Sequence, residues 1–313
     1  MFYYMDNPQF NCGTGHVYKE SLLFLSGKAF GDEQWKPWPK CGNSTIEKKI
    51  MNGVAAEKGE WPWMVRLLSC NTINKDCTDC GGSLISDEWV LTAAHCAKNF
   101  TNRIKYDDIT VYLGDYDSRV YDKNELKRSI IESIIHEDYE KNGYLSDDIA
   151  LLKLNAPLYL DGIHDYLEPI CLSNTTELVK SKCVATGWGI TTEAYNPYIL
   201  QKAELPIVDD NVCVDKYKDS PYRPNKQLCA GILNQKNSTC SGDSGGPLNC
   251  KLGLNGPWMV TGIASYGNKD AFGRCVSPPS VFTRVSAYLP WIEKIMKKYS
   301  TEKPKFNYVY PIE

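Results

Sequence analysis

The sequence predicts an all-β fold, a sandwich or a barrel, with a helix near the C-terminus. From Ile50 onward, short runs rich in β-branched and aromatic residues alternate with Gly, Asn, Asp and Pro. That spacing is typical of many short strands joined by turns. Examples of these runs lie at residues 63–68, 109–113, 149–154, 183–187 and 259–264. Only Ala287–Tyr299 reads as a convincing amphipathic helix, and its lysines come late, where the helix dipole favours them.

The composition excludes several classes of protein. The 313 residues are 42% hydrophobic and 23% charged, which is ordinary for a globular chain and unlike a disordered, collagenous or coiled-coil one. Lys and Arg number 35 against 38 Asp and Glu. This near balance argues against binding to nucleic acid or to a membrane surface. No apolar run approaches the roughly 18 residues that a membrane helix needs.

The 13 cysteines indicate an oxidising compartment, so we expect a secreted, extracellular protein. Cys77 and Cys80 form a lone Cys-x-x-Cys pair, and no second pair completes a zinc site. The first twenty residues nevertheless lack the features of a signal peptide. Either the start of the protein lies upstream of Met1 or secretion is wrongly inferred. We favour an upstream start, because the odd cysteine count suggests a missing partner.

Residues 1–41 carry scattered aromatics without a sustained period. The stretch 35–41 weakly resembles the end of a sushi module, with Cys12 as an internal cysteine. A structureless pro-segment explains it equally well. Residues 42–49 are a polar linker of the kind that proteases cut.

The segment Gly242–Pro247, with the sequence Gly-Asp-Ser-Gly-Gly-Pro, points to nucleophilic catalysis. A serine hydroxyl reacts only when a base takes its proton and donors stabilise the resulting oxyanion. Glycines on both sides of Ser244 expose the hydroxyl and let backbone N–H groups point at one spot. Alone, the segment could equally be a glycine-rich turn.

A base and an orienting carboxylate strengthen that interpretation. The four histidines are His16, His95, His136 and His164, and a lone histidine is usually not catalytic. His95 differs because it ends an apolar run and is followed by Cys96. Asp148 lies at the mouth of another apolar run, where a buried carboxylate needs a partner. The order His, Asp, Ser is that of one of three convergent triad lineages.

The motifs TAAHC, DIALL, GDSGGP and Ser265-Tyr266-Gly267 together resemble the chymotrypsin-like (trypsin-type) serine proteases over about residues 50–299. The resemblance implies two six-stranded antiparallel β-barrels with a C-terminal helix. It implies Ser244 as nucleophile, His95 as general base and Asp148 as the group that orients His95. The backbone N–H groups of Gly242 and Ser244 would form the oxyanion hole. Ser265, Tyr266 and Gly267 would pair with the substrate backbone.

The resemblance also implies activation by cleavage between Lys49 and Ile50. The new ammonium of Ile50 would fold inward and pair with Asp243. Met51 and Val54 depart mildly from the family pattern. The expected divisions are a pro-region or light chain at 1–49, a catalytic domain at 50–299 and a tail at 300–313.

The family's disulfide pattern implies most cysteine pairs. They are Cys80–Cys96, Cys183–Cys250, Cys213–Cys229, Cys240–Cys275 and a tether, Cys41–Cys171, that would hold two chains together after cleavage. Cys70 and Cys77 remain close in sequence and suggest a small extra loop. Cys12 remains alone. If residues 1–41 end a sushi-like module, Cys41 would instead pair with Cys12.

The specificity pocket implied by the resemblance has Ser238 at its floor and Gly267 and Ser280 on its walls. No carboxylate stands at the floor, so an apolar or aromatic side chain fits better than Lys or Arg, whose unpaired burial would cost several kcal/mol. Ser280 narrows the slot in favour of Leu or Met over Trp. Residues 268–274 form a longer rim than is usual.

Two weaker signals concern ions and glycans. Asp115, Asp117, Asp122 and Glu125 fall in the loop that binds calcium in some relatives, and carboxylates suit that cation. A solvated acidic turn is the plainer interpretation, so we expect no firm cofactor. Sequons at Asn43, Asn99 and Asn174 could carry glycans. The sequon at Asn237 would lie at the pocket base and is discounted.

We therefore expect a secreted serine endopeptidase zymogen that acts in a limited-proteolysis cascade. Its partners would be protein or peptide substrates, an upstream activating protease and serpin-type or other inhibitors, with no nucleic acid or membrane. The alternatives are a digestive protease and a non-catalytic homologue that acts as a binding cofactor. The complete triad argues against the homologue.

Overall fold

The computed structural model describes residues 40–44, 53–70, 77–101, 109–175, 181–190, 197–218, 222–233, 239–251, 253, 256–269, 275–299 and 308–309. The described ranges do not include Cys12, Lys49, Ile50 or Ser238. They also leave out most of the expected pro-region and residues 270–274 of the expected rim 268–274. Every described residue belongs to one compact unit, Pro37–Glu313.

Short strands dominate the described residues. The strands of the N-terminal half are β1 (Val54–Ala55), β2 (Met64–Cys70), β3 (Cys77–Leu84), β4 (Trp89–Thr92), β5 (Ile109–Leu113), β6 (Leu126–Arg128), β7 (Ile130–Ile135) and β8 (Ala150–Leu154). Those of the C-terminal half are β9 (Cys171–Ser173), β10 (Lys182–Gly187), β11 (Gln201–Glu204), β12 (Ile207–Val208), β13 (Gln227–Ala230), β14 (Pro247–Lys251), β15 (Trp258–Lys269), β16 (Cys275–Arg284) and β17 (Tyr308–Val309).

The first barrel is an antiparallel sheet in the order β6-β5-β2-β3-β4-β8-β7. Its two end strands, β6 and β7, are separated in sequence by Ser129 alone. One strand therefore pairs with β5 before Ser129 and with β8 after it. Because the ends of the sheet belong to the same strand, the sheet closes on itself as six strands.

The second barrel closes in the same way. Its strands follow the order β11-β10-β14-β15-β16-β13-β12, and only Leu205 and Pro206 separate β11 from β12. The interruption falls at a proline, which has no N–H to donate to a ladder. β1 adds to β11 from outside, and β9 and β17 add in parallel beside β15. The prediction of two six-stranded antiparallel barrels is confirmed, although the expected tail contributes β17.

The barrels have separate apolar interiors joined by a polar contact. Phe282 and Leu248 are fully buried in the core of the second barrel. Between the barrels, the indole N–H of Trp63 donates to Oδ1 of Asn249 at 2.8 Å. The amide nitrogen of Asn249 donates in turn to the carbonyl of Val184 at 2.9 Å. A buried amide thus links the residue before β2 to β10 and β14.

The prediction of one helix was incomplete. The C-terminal helix α3 (Leu289–Tyr299) buries Ile292, Ile295 and Met296 on one face. It begins two residues later than predicted, because Ala287 and Tyr288 belong to a 3₁₀ turn at Val285–Tyr288. Two further helices are α1 (Ala94–Thr101) and α2 (Asp210–Lys216). Both are too short to show a sustained period. No helix in the described ranges is long and apolar enough to span a bilayer.

The described residues form six disulfides: Cys41–Cys171, Cys70–Cys77, Cys80–Cys96, Cys183–Cys250, Cys213–Cys229 and Cys240–Cys275. These are the pairs that the resemblance and the spacing of Cys70 and Cys77 led us to expect. Cys41 is paired with Cys171, so the alternative pairing with Cys12 does not occur here. The Cys41–Cys171 bond is buried against Met259 on β15.

Candidate active site

A cavity of about 550 Å³, here called the central cleft, lies between the two barrels. The first half of the chain contributes His95 and the loop residues Tyr139, Tyr144 and Leu145 to the lining of this cleft. The second barrel contributes Ser244 and the segment Ser265–Gly267. The predicted nucleophile and base therefore face one space, although they lie far apart in the sequence.

His95 and Asp148 are in direct contact. His95 is the second residue of α1, and Nδ1 of its ring lies 2.8 Å from Oδ2 of Asp148. An ionised carboxylate can only accept, so Nδ1 carries the proton and Nε2 is left as the basic atom. The backbone N–H of His95 donates to the other carboxylate oxygen at 2.9 Å. These two bonds fix both the tautomer and the orientation of the ring.

Asp148 is fully buried and bound from the second barrel as well. The hydroxyl of Ser265 donates to Oδ2 of Asp148 at 2.5 Å. The hydroxyl of Thr283, on β16, donates to the backbone carbonyl of Asp148 at 2.8 Å. His95 and Ser265 therefore both hold the Asp148 carboxylate, and Thr283 holds its backbone carbonyl. Sequence reasoning assigned Ser265 to the substrate backbone and did not anticipate either contact with Asp148.

Ser244 lies in a turn whose flanking glycines are required by the backbone. Gly242 has φ +101° and Gly245 has φ +78°, a region that favours glycine. A Cβ at Gly245 would lie 2.2 Å from Oγ1 of Thr92 and 2.6 Å from the carbonyl of Gly81. The carbonyl of Ser244 accepts from the N–H of Gly81 at 2.7 Å. Among the described residues, the N–H groups of Gly242 and Ser244 have no hydrogen-bond partner.

Asp243 points away from the cleft into protein. One carboxylate oxygen accepts from the N–H of Gly189 at 2.9 Å, and the other accepts from the N–H of Cys240 at 2.9 Å. Burial raises the pKa of Asp243 to about 6, against the opposing effect of those two donors. Within the described ranges, no cation lies at ion-pair distance from this carboxylate.

The segment Ser265–Gly267 has a strand on one side only. Tyr266 on β15 pairs with Val281 on β16. The ladder between β14 and β15 ends at Ile263, so no strand of the described chain continues that edge beside the cleft. Such an edge can receive an extended peptide.

Two of the three predicted pocket residues are described. Ser280 is buried, and its hydroxyl accepts from the backbone N–H of Thr239 at 3.0 Å. A Cβ built on Gly267 would lie 3.6 Å from that hydroxyl oxygen, so the two predicted wall residues are adjacent. Glu140 is the one carboxylate among the described residues that line the cleft, and Lys98 pairs with it at 2.5 Å.

The acidic loop between Asp115 and Glu125 is more buried than a solvated acidic turn would be. Asp115 and Glu125 are buried. Oδ2 of Asp115 lies 3.3 Å from Nη1 of Arg66, whereas Oδ1 is buried without a hydrogen-bond partner among the described residues. Burial raises the pKa of Asp115, and the Arg66 charge opposes that shift. Asp122 pairs with Lys58.

One further group of potential metal ligands can be set aside. Cys80 and Cys96 lie near His95, but their sulfurs form a disulfide with each other. They are therefore not thiolate ligands.

Comparison with known proteins gives matches over most of the chain. The Trypsin family model matches residues 50–292. The chain is 36% identical over 295 residues to transmembrane protease serine 7 of Homo sapiens, covering 92% of this chain and 33% of that protein. It is 34% identical over 247 residues to ovochymase of Halocynthia roretzi, covering 78% of this chain and 15% of that protein. The chain thus spans a third or less of the length of these relatives.

Proposed function

Because this chain belongs to the trypsin family of serine endopeptidases, we propose that it cleaves peptide bonds through Ser244, His95 and Asp148. The observation that carries this proposal is the 2.8 Å contact between Nδ1 of His95 and Asp148, with Ser244 in the same cleft. The contact leaves Nε2 of His95 unprotonated and able to accept the hydroxyl proton of the serine.

The reaction proceeds in two halves. Oγ of Ser244 attacks the substrate carbonyl carbon while its proton passes to Nε2 of His95, and the N–H groups of Gly242 and Ser244 bind the oxyanion. The intermediate collapses, the peptide nitrogen takes the proton from His95 and leaves, and an acyl-enzyme remains. Water then attacks the acyl carbon by the same route and regenerates Ser244. Asp148 stays ionised and stabilises the imidazolium that forms twice in each cycle.

Replacing the nucleophile tests this assignment. Ser244→Ala should abolish labelling by a fluorophosphonate and lower turnover by several orders of magnitude. Ser241→Ala is the matched control, because Ser241 also lines the cleft and should retain labelling. Equal labelling of wild type and Ser244→Ala would refute the assignment.

We further propose that cleavage after Lys49 activates the protein. Ala55 on β1 pairs with Gln201 on β11, which pairs with Gly187 on β10. Two strand spacings, about 10 Å, therefore separate Ala55 from Gly187. A Cβ on Gly187 would lie 2.2 Å from the Asp243 carboxylate, so that carboxylate lies beside the strand. The five residue-to-residue steps from Ile50 to Ala55 can span about 17 Å, which is enough for the Ile50 ammonium to reach that carboxylate.

The Cys41–Cys171 bond supports a two-chain product, with residues 1–49 as the light chain. Protein cut after Lys49 should migrate as one species without reductant and as two with it. Release of the N-terminal piece from denatured, unreduced protein would refute the tether. A retained pro-region suits an enzyme of a limited-proteolysis cascade, secreted and controlled by protein inhibitors, better than a digestive one.

For the residue before the scissile bond, we propose an apolar or aromatic preference, on the basis of Ser238, Gly267 and Ser280. The only described carboxylate in the cleft is neutralised by Lys98, so a substrate cation would find no free countercharge there. Phe, Tyr, Leu or Met tetrapeptide amides should show a higher kcat/KM than Lys or Arg amides. Ser238→Asp should shift the preference toward basic residues. A wild-type preference for Arg, or maturation of purified precursor by itself at Lys49, would refute this proposal.

Calcium is a further proposal for the acidic loop. The buried, unpartnered Oδ1 of Asp115 and the buried Glu125 offer, among the described residues, the oxygen donors that a hard cation takes. When bound, the ion would neutralise these carboxylates and stabilise the loop, and it would take no part in the reaction. Calcium should raise the melting temperature of the wild type and leave that of Asp115→Asn unchanged. An equal rise in both would exclude this loop as the site.

A further inference from the structure

The loop that leads to Asp148 contains an unusual concentration of left-handed backbone. Among the described residues, three that are not glycine have positive φ: Glu140 at 60°, Leu145 at 49° and Asp147 at 52°. All three lie between His136 and Asp148. Residues with side chains persist in this region only where their surroundings hold them. Asp147, next to the catalytic carboxylate, has the most extensive set of such contacts.

The Asp147 side chain is buried and bound at both oxygens. Nη1 of Arg223 lies 2.9 Å from Oδ2, and the hydroxyl of Tyr288 donates to Oδ1 at 3.0 Å. Nζ of Lys226 lies 3.7 Å from Oδ1. The carbonyl of Asp147 accepts from the N–H of Ile149 at 2.9 Å. That bond closes a three-residue turn with Asp148 at its centre.

These partners belong to the second barrel. Arg223 lies in a turn just before β13, and its carbonyl accepts from the N–H groups of Lys226 and Gln227. Tyr288 ends the 3₁₀ turn before α3. The loop of the first barrel is therefore fixed to the second barrel at the residue adjacent to Asp148. The contacts of Asp147 hold the backbone that leads to Asp148, and Thr283 holds the Asp148 carbonyl. Ser265 and His95 hold the carboxylate itself.

We propose that Asp147 is a positioning residue for catalysis: its contacts with Arg223 and Tyr288 hold the turn that aims the Asp148 carboxylate at Nδ1 of His95. This inference rests on the proposed function, in which Asp148 orients His95. The geometric requirement is strict, because displacement of a catalytic group by about 1 Å can cost about 100-fold in rate. A turn held in a left-handed conformation would relax without these contacts and carry Asp148 with it.

Three substitutions at Asp147 distinguish the loss of its side-chain contacts with Arg223 and Tyr288 from the loss of its left-handed backbone conformation. Asp147→Asn retains an acceptor for Tyr288 and tolerates positive φ, but it lacks the charge that attracts Arg223. Asp147→Gly tolerates the same φ but has no side chain to contact Arg223 and Tyr288. Asp147→Ala lacks those contacts and also does not favour positive φ. For protein cleaved after Lys49, kcat should fall by about tenfold or less in Asp147→Asn and by about 100-fold in the other two, with KM within about twofold of wild type.

A spectroscopic measurement reports the contact directly. The proton on Nδ1 of His95, shared with a carboxylate at 2.8 Å, should give a strongly deshielded resonance. We expect it to remain in Asp147→Asn and to weaken or disappear in Asp147→Gly. A purely stabilising residue would leave this signal unchanged in the folded protein.

Asp210 provides a matched control. Its carboxylate also accepts from a tyrosine hydroxyl, that of Tyr222 at 2.5 Å, and faces an arginine, Arg284, at 3.5 Å. It lies at the start of α2 and makes no contact with the triad in the described structure. Asp210→Asn should lower the urea midpoint without changing kcat per folded molecule.

The inference is overturned if Asp147→Gly keeps wild-type kcat, or if kcat falls only with the folded fraction measured by urea unfolding. Should the Asp147 variants fail to fold, Arg223→Gln replaces the partly exposed partner of Asp147 instead. This variant should lower kcat several-fold and leave KM unchanged. An unchanged kcat would refute the proposal. Loss of activity in Ser244→Ala beside full activity in the Asp147 variants would refute this inference alone. Equal activity of Ser244→Ala and wild type would refute the proposed function instead.

Discussion

Asp243 should make the uncleaved protein less stable as the pH rises. Asp243 is partly buried and its carboxylate packs against Gly187 and Gly189. Among the described residues, that carboxylate accepts only from the N–H groups of Gly189 and Cys240. Before cleavage, Ile50 has no ammonium, because its nitrogen is part of a peptide bond. Among the described residues the ionised side chain then has no countercharge, and desolvation raises its pKa from 3.8 to about 6.

The sign and size of the effect follow from that difference in pKa. Below pH 3.8 the side chain is protonated in both states and contributes nothing. Between 3.8 and about 6 the unfolded chain releases its proton while the folded chain retains it, so the unfolded state is favoured increasingly. A difference of about 2 pKa units corresponds to about 3 kcal/mol, lost by about pH 7.

The assay compares the Asp243 protein with the variant Asp243→Asn, whose isosteric amide does not titrate. Urea unfolding of both uncleaved proteins is followed at about pH 4 and about pH 7, in a Ser244→Ala background that prevents self-digestion. The free energy of unfolding of the Asp243 protein should fall by about 3 kcal/mol more than that of the variant. Other titrating groups are common to both proteins, so their effects cancel in the comparison.

Cleavage after Lys49 should reverse this loss of stability with rising pH. The Ile50 ammonium would then favour the ionised carboxylate, and the cleaved Asp243 protein should gain stability relative to Asp243→Asn near pH 7. Parallel pH dependences of the two uncleaved proteins would refute the reasoning. So would an equal pH dependence before and after cleavage.

Two further predictions concern buried polar contacts. Nζ of Lys202 lies 2.5 and 2.8 Å from the two carboxylate oxygens of Glu60, and both side chains are 3% exposed. Lys202→Met should therefore lower the free energy of urea unfolding by about 3–5 kcal/mol. Adding Glu60→Gln should recover more than half of that lost free energy. A loss below about 1 kcal/mol for Lys202→Met would contradict this prediction. Asn249→Ala would leave the indole N–H of Trp63 unpaired between the barrels and should cost about 1–3 kcal/mol in the same assay, whereas an unchanged urea midpoint would contradict that expectation.

Local patterns were sufficient to predict the all-β class, the five runs given above as examples of strands and the C-terminal helix. The run 109–113 alternates buried and partly exposed residues as β5, and the apolar run at 149–154 contains the almost entirely buried β8. The same patterns missed α1 and α2, which are two turns long and held by their surroundings. They also could not reveal that β6 and β7 are one strand, because its change of partner at Ser129 depends on strands far away in sequence.

The candidate site was predictable in its reactive groups and not in its supports. Ser244, His95 and Asp148 each stand in a recognisable motif, whereas Asp147 precedes Asp148 without any local signal. Its partner Arg223 is 76 positions away, and Tyr288 is 141 positions away. Thr283, which binds the carbonyl of Asp148, is 135 positions away. Contacts at such separations arise from packing of two barrels and leave no periodicity in one sequence.

The division of the site between the barrels has a consequence for biosynthesis. Contacts between residues more than about 100 positions apart in the sequence form late in folding. The entropy of closing such long loops must be overcome before these contacts stabilise the chain. Domains that fold as units during synthesis would produce the first barrel, with His95 and Asp148, before the strands that carry Ser244 and Ser265 exist. Under the proposed mechanism, a nascent or half-folded chain would therefore hold the base without the nucleophile. Hydrolytic activity would arise only when the barrels dock, which would protect the folding chain from its own chemistry.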